Sequence, residues 1–407
     1  MDCNVVLLKS NQCRPGDDGN LLAIRDIGPL LGADEGLNHQ IVDTFATLSQ
    51  TDLAWTEKIW ASIARTDGSL QLDLGLGKYQ NRGIIDGFAG VSRGRQQWTV
   101  RGSRELSSAP EAMSVGPVHY EIVEPLKQMR FRLEPNDVQP ISFDVVISGV
   151  TPPFFEERNL VRNRRTGRID VDVIRYHQGG WASGTVTVDG QTQEVNPQEW
   201  FGFRDHSWGV RQAIGASPPD LIPGPGVPAG ARGGMKWSPA FFRRPDGSYY
   251  ETAIFVVEGA WEYSSAYLND AGGNQLPVRT VVPRIEYDTR TRFVKGGELL
   301  LSMESGEERV IEVEALGDSG FFLKTGGYGD WAGHKHGSWR GELHLDGEYI
   351  ADCWAQENLC QLGQFRDTPV RVKDGDAVGY GIMESLIGGV WPELGLTAES
   401  DHKVSYT

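Results

Sequence analysis

The sequence predicts an all-β protein of two domains, and three observations carry that expectation. Glycine and proline, 51 and 21 of 407 residues, recur too often to leave room for long helices. Between these breaks run short segments in which apolar and polar residues alternate, the period of a strand with one face buried. The chain also exceeds the usual size of a single domain. A hydrophobic content of 39 %, with 12 Trp, 15 Phe and 12 Tyr, is ample for packed cores.

Along the chain, strands are expected at 142–147, 184–188, 252–257, 281–287, 298–303, 310–315 and 341–345. Turns are expected at Asp189-Gly190, Pro245-Asp246-Gly247 and Asp346-Gly347, residue types that tolerate hairpin conformations. This spacing fits a meandering antiparallel barrel or sandwich. Helical periodicity is confined to 36–48, where Leu37, Ile41, Phe45 and Leu48 form one apolar stripe. Residues 215–234 hold Pro or Gly at almost every second position and read as a lid, a binding loop or an irregular surface segment. A boundary near residue 200 divides the chain into an N-terminal domain, 1–199, and a C-terminal domain, 200–407.

A formal net charge of -16 argues against nucleic-acid and anionic-membrane partners, both of which need a basic face. The opening MDCNVVLLKSNQCRPGDD has too short an apolar run for a signal peptide, and no segment reaches membrane-span length, so a cytoplasmic protein is expected. Cys3, Cys13, Cys353 and Cys360 lack zinc-type spacing and read as free thiols. Glycine-rich phosphate loops and a GxSxG elbow are both absent, so no nucleotide or flavin cofactor is expected, nor an α/β-hydrolase.

The densest chemistry lies in FGFRDHSWGVR, residues 201–211. In an extended chain Asp205 and Ser207 point one way, while Arg204, His206 and Trp208 point the other. His206 and Trp208 then put a proton-transfer group beside a large apolar wall, with Arg211 close by. The alternative is a buried tryptophan anchoring a turn, with Arg204 and Asp205 paired. A second polar-aromatic group comprises Trp55, Glu57, Lys58, Trp60, Tyr79, Asn81, Arg82 and Asp86, in which the two tryptophans read more readily as core. Lys236, Trp237 and Phe241 are candidate pocket walls, and Glu251 is a second candidate carboxylate. Arg130, Arg132, Glu134 and Asn136 alternate with apolar residues as a solvated strand face does. His334 and His336 share a strand face but need a third ligand from Asp330, Glu342 or His344, and no metal is expected.

Three segments, 54–58 (AWTEK), 75–83 (GLGKYQNRG) and 204–211 (RDHSWGVR), resemble the hydroxyneurosporene synthase (carotenoid 1,2-hydratase) family and its AttH-like, lipocalin-type relatives. The nearer likeness is to bacterial proteins of unknown function. The resemblance implies two lipocalin-like (calycin) β-barrel domains, an apolar cavity and no organic cofactor. His206 and Trp208 match the family's His-x-Trp pair. The family's Tyr-x-Asp, which supplies the acid about two dozen residues later, has no counterpart here. That stretch holds the Pro/Gly loop and Met235-Lys236-Trp237, which leaves Asp205 or Glu251 as the acid.

Two function classes follow. The first is an enzyme that adds or removes water, isomerises or cyclises a hydrophobic terpenoid, steroid or polyketide-like molecule. It needs an acid kept protonated by apolar surroundings. It also needs aromatic faces for a cation, here Trp208, Trp237 and Phe241, and a base, here His206. Arg204 would orient Asp205 or bind a substrate oxygen, and Arg211, Lys236, Trp55 and Tyr79 complete the candidate lining. The second class is a carrier of an apolar small molecule. Whether Asp205 and His206 face a cavity separates the two.

Overall fold

The computed structural model describes residues 6–7, 32–37, 39, 51–106, 113–163, 165–216, 221–222, 231–259 and 263–401. Two antiparallel sheets account for nearly all regular structure, and one short α-helix, Gln356–Leu362, occurs among the described residues. The first sheet is an open half-barrel. Its order runs Leu343–Ile350, Gln96–Glu105, Ile84–Arg93, Gln71–Tyr79, Trp55–Arg65, Trp200–Val210, Ile169–Val188, Ile141–Gly149, Gln128–Leu133 and Val118–Glu124. The second sheet is an up-and-down meander from Gly233–Arg243 to Ala377–Gly388. Its last strand pairs with its first, and Gln275–Tyr287 pairs with Val294–Met303, closing a lipocalin-like barrel.

The alternating segments became strands because one parity of each is apolar and finds a buried face. Residues 142–147 lie within Ile141–Gly149, 252–257 within Tyr249–Glu258 and 298–303 within Val294–Met303. Ile63, Leu74, Phe131, Val145 and Trp200 fill the concave face of the open sheet. Phe242, Ile254, Leu299, Leu301 and Met383 fill the barrel lumen. A third apolar layer, with Trp60, Phe88 and Phe203 from the open sheet and Trp237 and Phe241 from the barrel, joins the two. Side chains therefore occupy both interiors where an apolar ligand cavity was expected.

Three expectations are corrected. Trp200–Val210 pairs with Trp55–Arg65 on one side and Ile169–Val188 on the other. A boundary at residue 200 would cut this strand from both partners; the chain passes to the barrel only after Val210, and RDHSWGVR belongs to the open sheet. Asp346-Gly347 is not a turn but the middle of strand Leu343–Ile350. Glycine is required there because a Cβ at 347 would lie 2.0 Å from the Thr99 carbonyl oxygen of the paired strand. Finally, residues 343–350 come from the C-terminal half yet form the edge of the N-terminal sheet. Of the helical stripe, Leu37 is described and is buried in the first core; Ile41, Phe45 and Leu48 lie outside the described residues, as does most of the 215–234 loop.

Candidate active site

Strand register decides where the motif's side chains go. His206 stands opposite Tyr176 and Ile59, Asp205 opposite His177 and Trp60, and Ser207 opposite Arg175 and Lys58. The alternation is as the sequence predicts, and it sends the motif to two separate places. Arg204, His206 and Trp208 enter the concave interior of the open sheet. Asp205 and Ser207 face the barrel.

The interior group is a closed hydrogen-bond network. Arg204 grips Glu35 with two bonds, of 3.0 and 2.8 Å, and also donates to Gln178. Glu35 further accepts from Tyr120, Tyr176 and the Leu126 amide. The alternative pairing of Arg204 with Asp205 is therefore overturned. His206 is fully buried between the Tyr176 hydroxyl, 3.0 Å from Nδ1, and Glu57 Oε1, 2.9 Å from Nε2. Glu57 also binds His39, whose ring stacks on Trp208 with centroids 3.6 Å apart. Burial alone would raise the Glu57 carboxyl; the bonds from His206 and His39 outweigh it and hold it at about 2. The ligand atoms of His39, Glu57 and His206 lie within 4.8 Å of one another, close enough to hold a metal ion.

In the crevice where the other face of the open sheet packs on the barrel lies a largely buried cluster of charged and aromatic groups. Asp205 pairs with Arg175 Nε at 3.0 Å, and Arg175 reaches Glu156 at 3.2 Å. Glu156 also accepts from the Trp237 indole at 2.5 Å and bonds His177 at 2.9 Å. Arg211 donates to Ser207. Lys58 places its ammonium 4.6 Å from the Tyr328 ring centre and 5.8 Å from that of Tyr79, with only 5 % of its surface exposed. Burial and then the neighbouring Arg211 and Arg175 push the Lys58 amine down to about 7, against the pull of Asp86 and Asp205. Tyr79 donates to Asp86 at 2.9 Å, and His336 Nδ1 lies 3.1 Å from the same carboxylate. The GxGxY spacing has a steric cause here: a Cβ at Gly77 would lie 2.6 Å from the Tyr79 hydroxyl and 3.2 Å from Lys58 Cγ. A small cavity of about 40 Å³ opens beside Asp86 and His336.

At the crevice wall stands a chain of three carboxyl groups, Asp73, Asp367 and Glu384. The Trp60 indole donates to Asp367 Oδ2 at 2.9 Å. Both oxygens of Asp73 and Oδ1 of Asp367 are buried and make no well-formed hydrogen bond, with the Ser62 hydroxyl and the Gln71 amide near Asp73. Protonated carboxyls that bond one another satisfy them. Burial pushes Asp73 up to about 7, and burial and then mutual repulsion put Asp367 and Glu384 well above the usual carboxylate range. Asp73 and Asp367 are fully enclosed, whereas Glu384 keeps 9 % of its surface exposed. The chain thus has one open end.

The expected site residues divide accordingly. Asp205, Arg211, Tyr79 and Trp237 meet in the crevice. Arg204, His206 and Trp208 do not, and half-buried Trp55 begins the strand that carries Glu57. Lys236 points into the barrel lumen, ion-paired with Glu258 at 2.6 Å. Phe241 belongs to the apolar layer and stacks on Phe203. Glu251 is 1 % exposed, bonded to Thr151 at 2.5 Å and to the Gly179 amide at 3.0 Å, and burial raises it to about 8. His334 and His336 form no ligand set: His336 bonds Asp86 while His334 closes a turn with Trp331. Arg130 and Arg132 do form the expected solvated face, in ion pairs with Asp144, Glu121 and Glu134.

Sequence reasoning missed Glu35, His39, Asp73, Glu156, Arg175, His177, Tyr328, Asp367 and Glu384. Two of these left a trace. Asp73 interrupts the apolar and glycine run QLDLGLGKY, and Glu384 sits in the apolar run GIMESLIGG. An acid inside a buried strand is costly unless partnered, and that cost was the available signal.

No helix among the described residues is long and apolar enough to cross a membrane. Among solved structures, the chain is similar to an AttH-type protein of Nitrosomonas europaea at 14 % identity and TM-score 0.46, over 81 % of this chain and 92 % of that one. It is similar to kievitone hydratase of Nectria haematococca at 13 % identity and TM-score 0.43, over 86 % and 94 %. It is also similar to CghA, solved with Sch210972, at 11 % identity and TM-score 0.40, over 88 % and 93 %. No curated protein matches the chain in sequence. Residues 33–397 match the family of unknown function DUF8625, and the chain belongs to that family.

Proposed function

We propose that the crevice between the sheets is the active site of an acid–base enzyme of lyase or isomerase type. Its substrate would be a small unsaturated molecule with an apolar body and at least one oxygen. The observation that carries this reading is the carboxyl chain with its single open end at Glu384, backed by Asp367 and Asp73. A carboxyl that is protonated near neutral pH can deliver its proton to a carbon–carbon double bond. Trp60, Trp237 and Tyr328 offer ring faces to the resulting cation. Arg175 and Arg211 can bind the substrate oxygen, and their charge is offset locally by Glu156 and Asp205. The carboxylate left on Glu384 then removes a proton from an attacking water, giving net hydration, or from a neighbouring carbon, giving an isomer. Either outcome restores the acid. A carrier would call for an apolar lining, and ionisable side chains dominate this crevice.

The test uses heavy water. The protein is incubated in D2O with a panel of small unsaturated alcohols and ketones, and products are read by mass spectrometry. The proposal expects carbon-bound deuterium in at least one compound with the parent protein, and a loss of about 10²- to 10⁴-fold in labelling rate with Glu384→Gln. Labelling that Glu384→Gln retains in full would overturn it.

A further inference from the structure

We infer that His39, Glu57 and His206 form a divalent-cation site that fastens His39 onto the inner face of the open sheet. The observations lie on the opposite side of the Trp55–Arg65 and Trp200–Val210 strands from the carboxyl chain, so this inference stands apart from the proposed activity.

The argument is one of proton placement. Tyr176 has a single hydroxyl proton, and Glu35 Oε2, 2.9 Å away, accepts it. Tyr176 must then accept from His206 Nδ1, 3.0 Å away, which in the neutral ring leaves Nε2 as a bare lone pair. That lone pair faces Glu57 Oε1 at 2.9 Å. His39 repeats the pattern in reverse. Its Nε2 donates to Asp34 Oδ1 at 3.1 Å, so Nδ1 is the lone pair, and it faces the same Glu57 oxygen. Two imidazole lone pairs and a carboxylate oxygen, all within 4.8 Å, repel one another unless something positive lies between them. One divalent ion, or two protons, supplies the missing charge.

Several features favour the ion. Each imidazole has its outer nitrogen fixed by an oxygen, the second-layer arrangement that orients metal-bound histidines. Glu57 Oε2 is held by the His39 backbone amide at 2.9 Å, which leaves Oε1 as the ligand atom. A two-histidine, one-carboxylate set suits zinc. Glu57 and His206 are wholly buried and the His39 side chain is 14 % exposed, so His39 is the ligand nearest solvent. Trp208, stacked on His39, keeps the ring in place.

The experiment uses the full chain without an affinity tag, grown with zinc and measured by elemental analysis. Chelated protein is then titrated with Zn²⁺ or Co²⁺ while the cobalt visible bands and the melting temperature are followed. The inference expects one ion per chain, cobalt bands of nitrogen–oxygen ligation, and a rise in melting temperature on zinc addition. His39→Ala should abolish binding. Asp34→Asn, which leaves all three ligands in place, should weaken it about 10- to 100-fold. His334→Ala should bind as the parent does. A parent protein that purifies metal-free and gains neither cobalt bands nor thermal stability from added ion would overturn the inference. Stoichiometric zinc that survives in a folded His39→Ala variant would also overturn it, because the ion would then sit elsewhere.

Discussion

Trp237 and Glu384 stand directly opposite each other where the last barrel strand pairs with the first. An indole cannot donate a proton to a double bond, but its cross-strand neighbour is a carboxyl in the same crevice. Trp237 meanwhile gives its N–H to Glu156, which anchors Arg175 and, through it, Asp205. A carboxyl group therefore stands beside this indole on the neighbouring strand.

The Arg204–Glu35 pair is predicted to be structural. Both side chains are buried, and every Glu35 oxygen is engaged. Arg204→Met should therefore cost about 3–5 kcal/mol, because it strands an uncompensated carboxylate. The double variant Arg204→Met/Glu35→Met should recover a large part of that loss. Denaturant midpoints of the parent, the single and the double variants check this; a single variant as stable as the parent would contradict it.

Glu251, a candidate acid from sequence, is predicted to act on stability rather than turnover. Burial raises its carboxyl from 4.5 to about 8, so between those values the unfolded chain ionises while the folded chain holds its proton. Stability attributable to this group must fall as pH rises through that window. Glu251→Gln keeps a donor for Thr151 Oγ1 and an acceptor for the Gly179 amide. It should match the parent near pH 4 and exceed it by a few kcal/mol near pH 8, at about 1.4 kcal/mol per pKa unit. Melting curves across that range give the sign directly, and a variant that is less stable at high pH would refute it.

Gly77→Ala tests the packing beneath Lys58. The added methyl would lie 2.6 Å from the Tyr79 hydroxyl, which bonds Asp86. A loss of about 1–3 kcal/mol is expected from the forced shift. Activity should fall by more than stability alone explains, because Tyr79 and Lys58 line the crevice. Equal specific activity in the folded fraction would remove Tyr79 from the site.

The sequence conveyed the fold better than the site. Alternation is local, so strands such as Ile141–Gly149 and the split between Asp205 and His206 could be read directly. Register is not local. Nothing near Leu343 announces that this segment pairs with Gln96–Glu105, and Asp346-Gly347 reads as a turn because close backbone approach also demands glycine. The carboxyl chain joins residues 367 and 384, neighbours across the paired strands Arg366–Asp374 and Ala377–Gly388, to residue 73, which only the packing of one sheet on the other brings to them. His206 was legible as chemically unusual, but its partners Glu57 and Tyr176 come from two other strands, and they enclose it.

The central claim is that the crevice holds a carboxyl group protonated near neutral pH with Glu384 at its open end. Infrared difference spectroscopy tests this without any substrate. Parent protein and Glu384→Gln are recorded near neutral pH in H2O and D2O. The account predicts a carboxylic-acid C=O band in the parent that shifts in D2O and loses intensity in Glu384→Gln, with the circular dichroism spectrum unchanged. A parent spectrum containing only ionised carboxylate bands, or a protonated band that Glu384→Gln leaves intact, would contradict it.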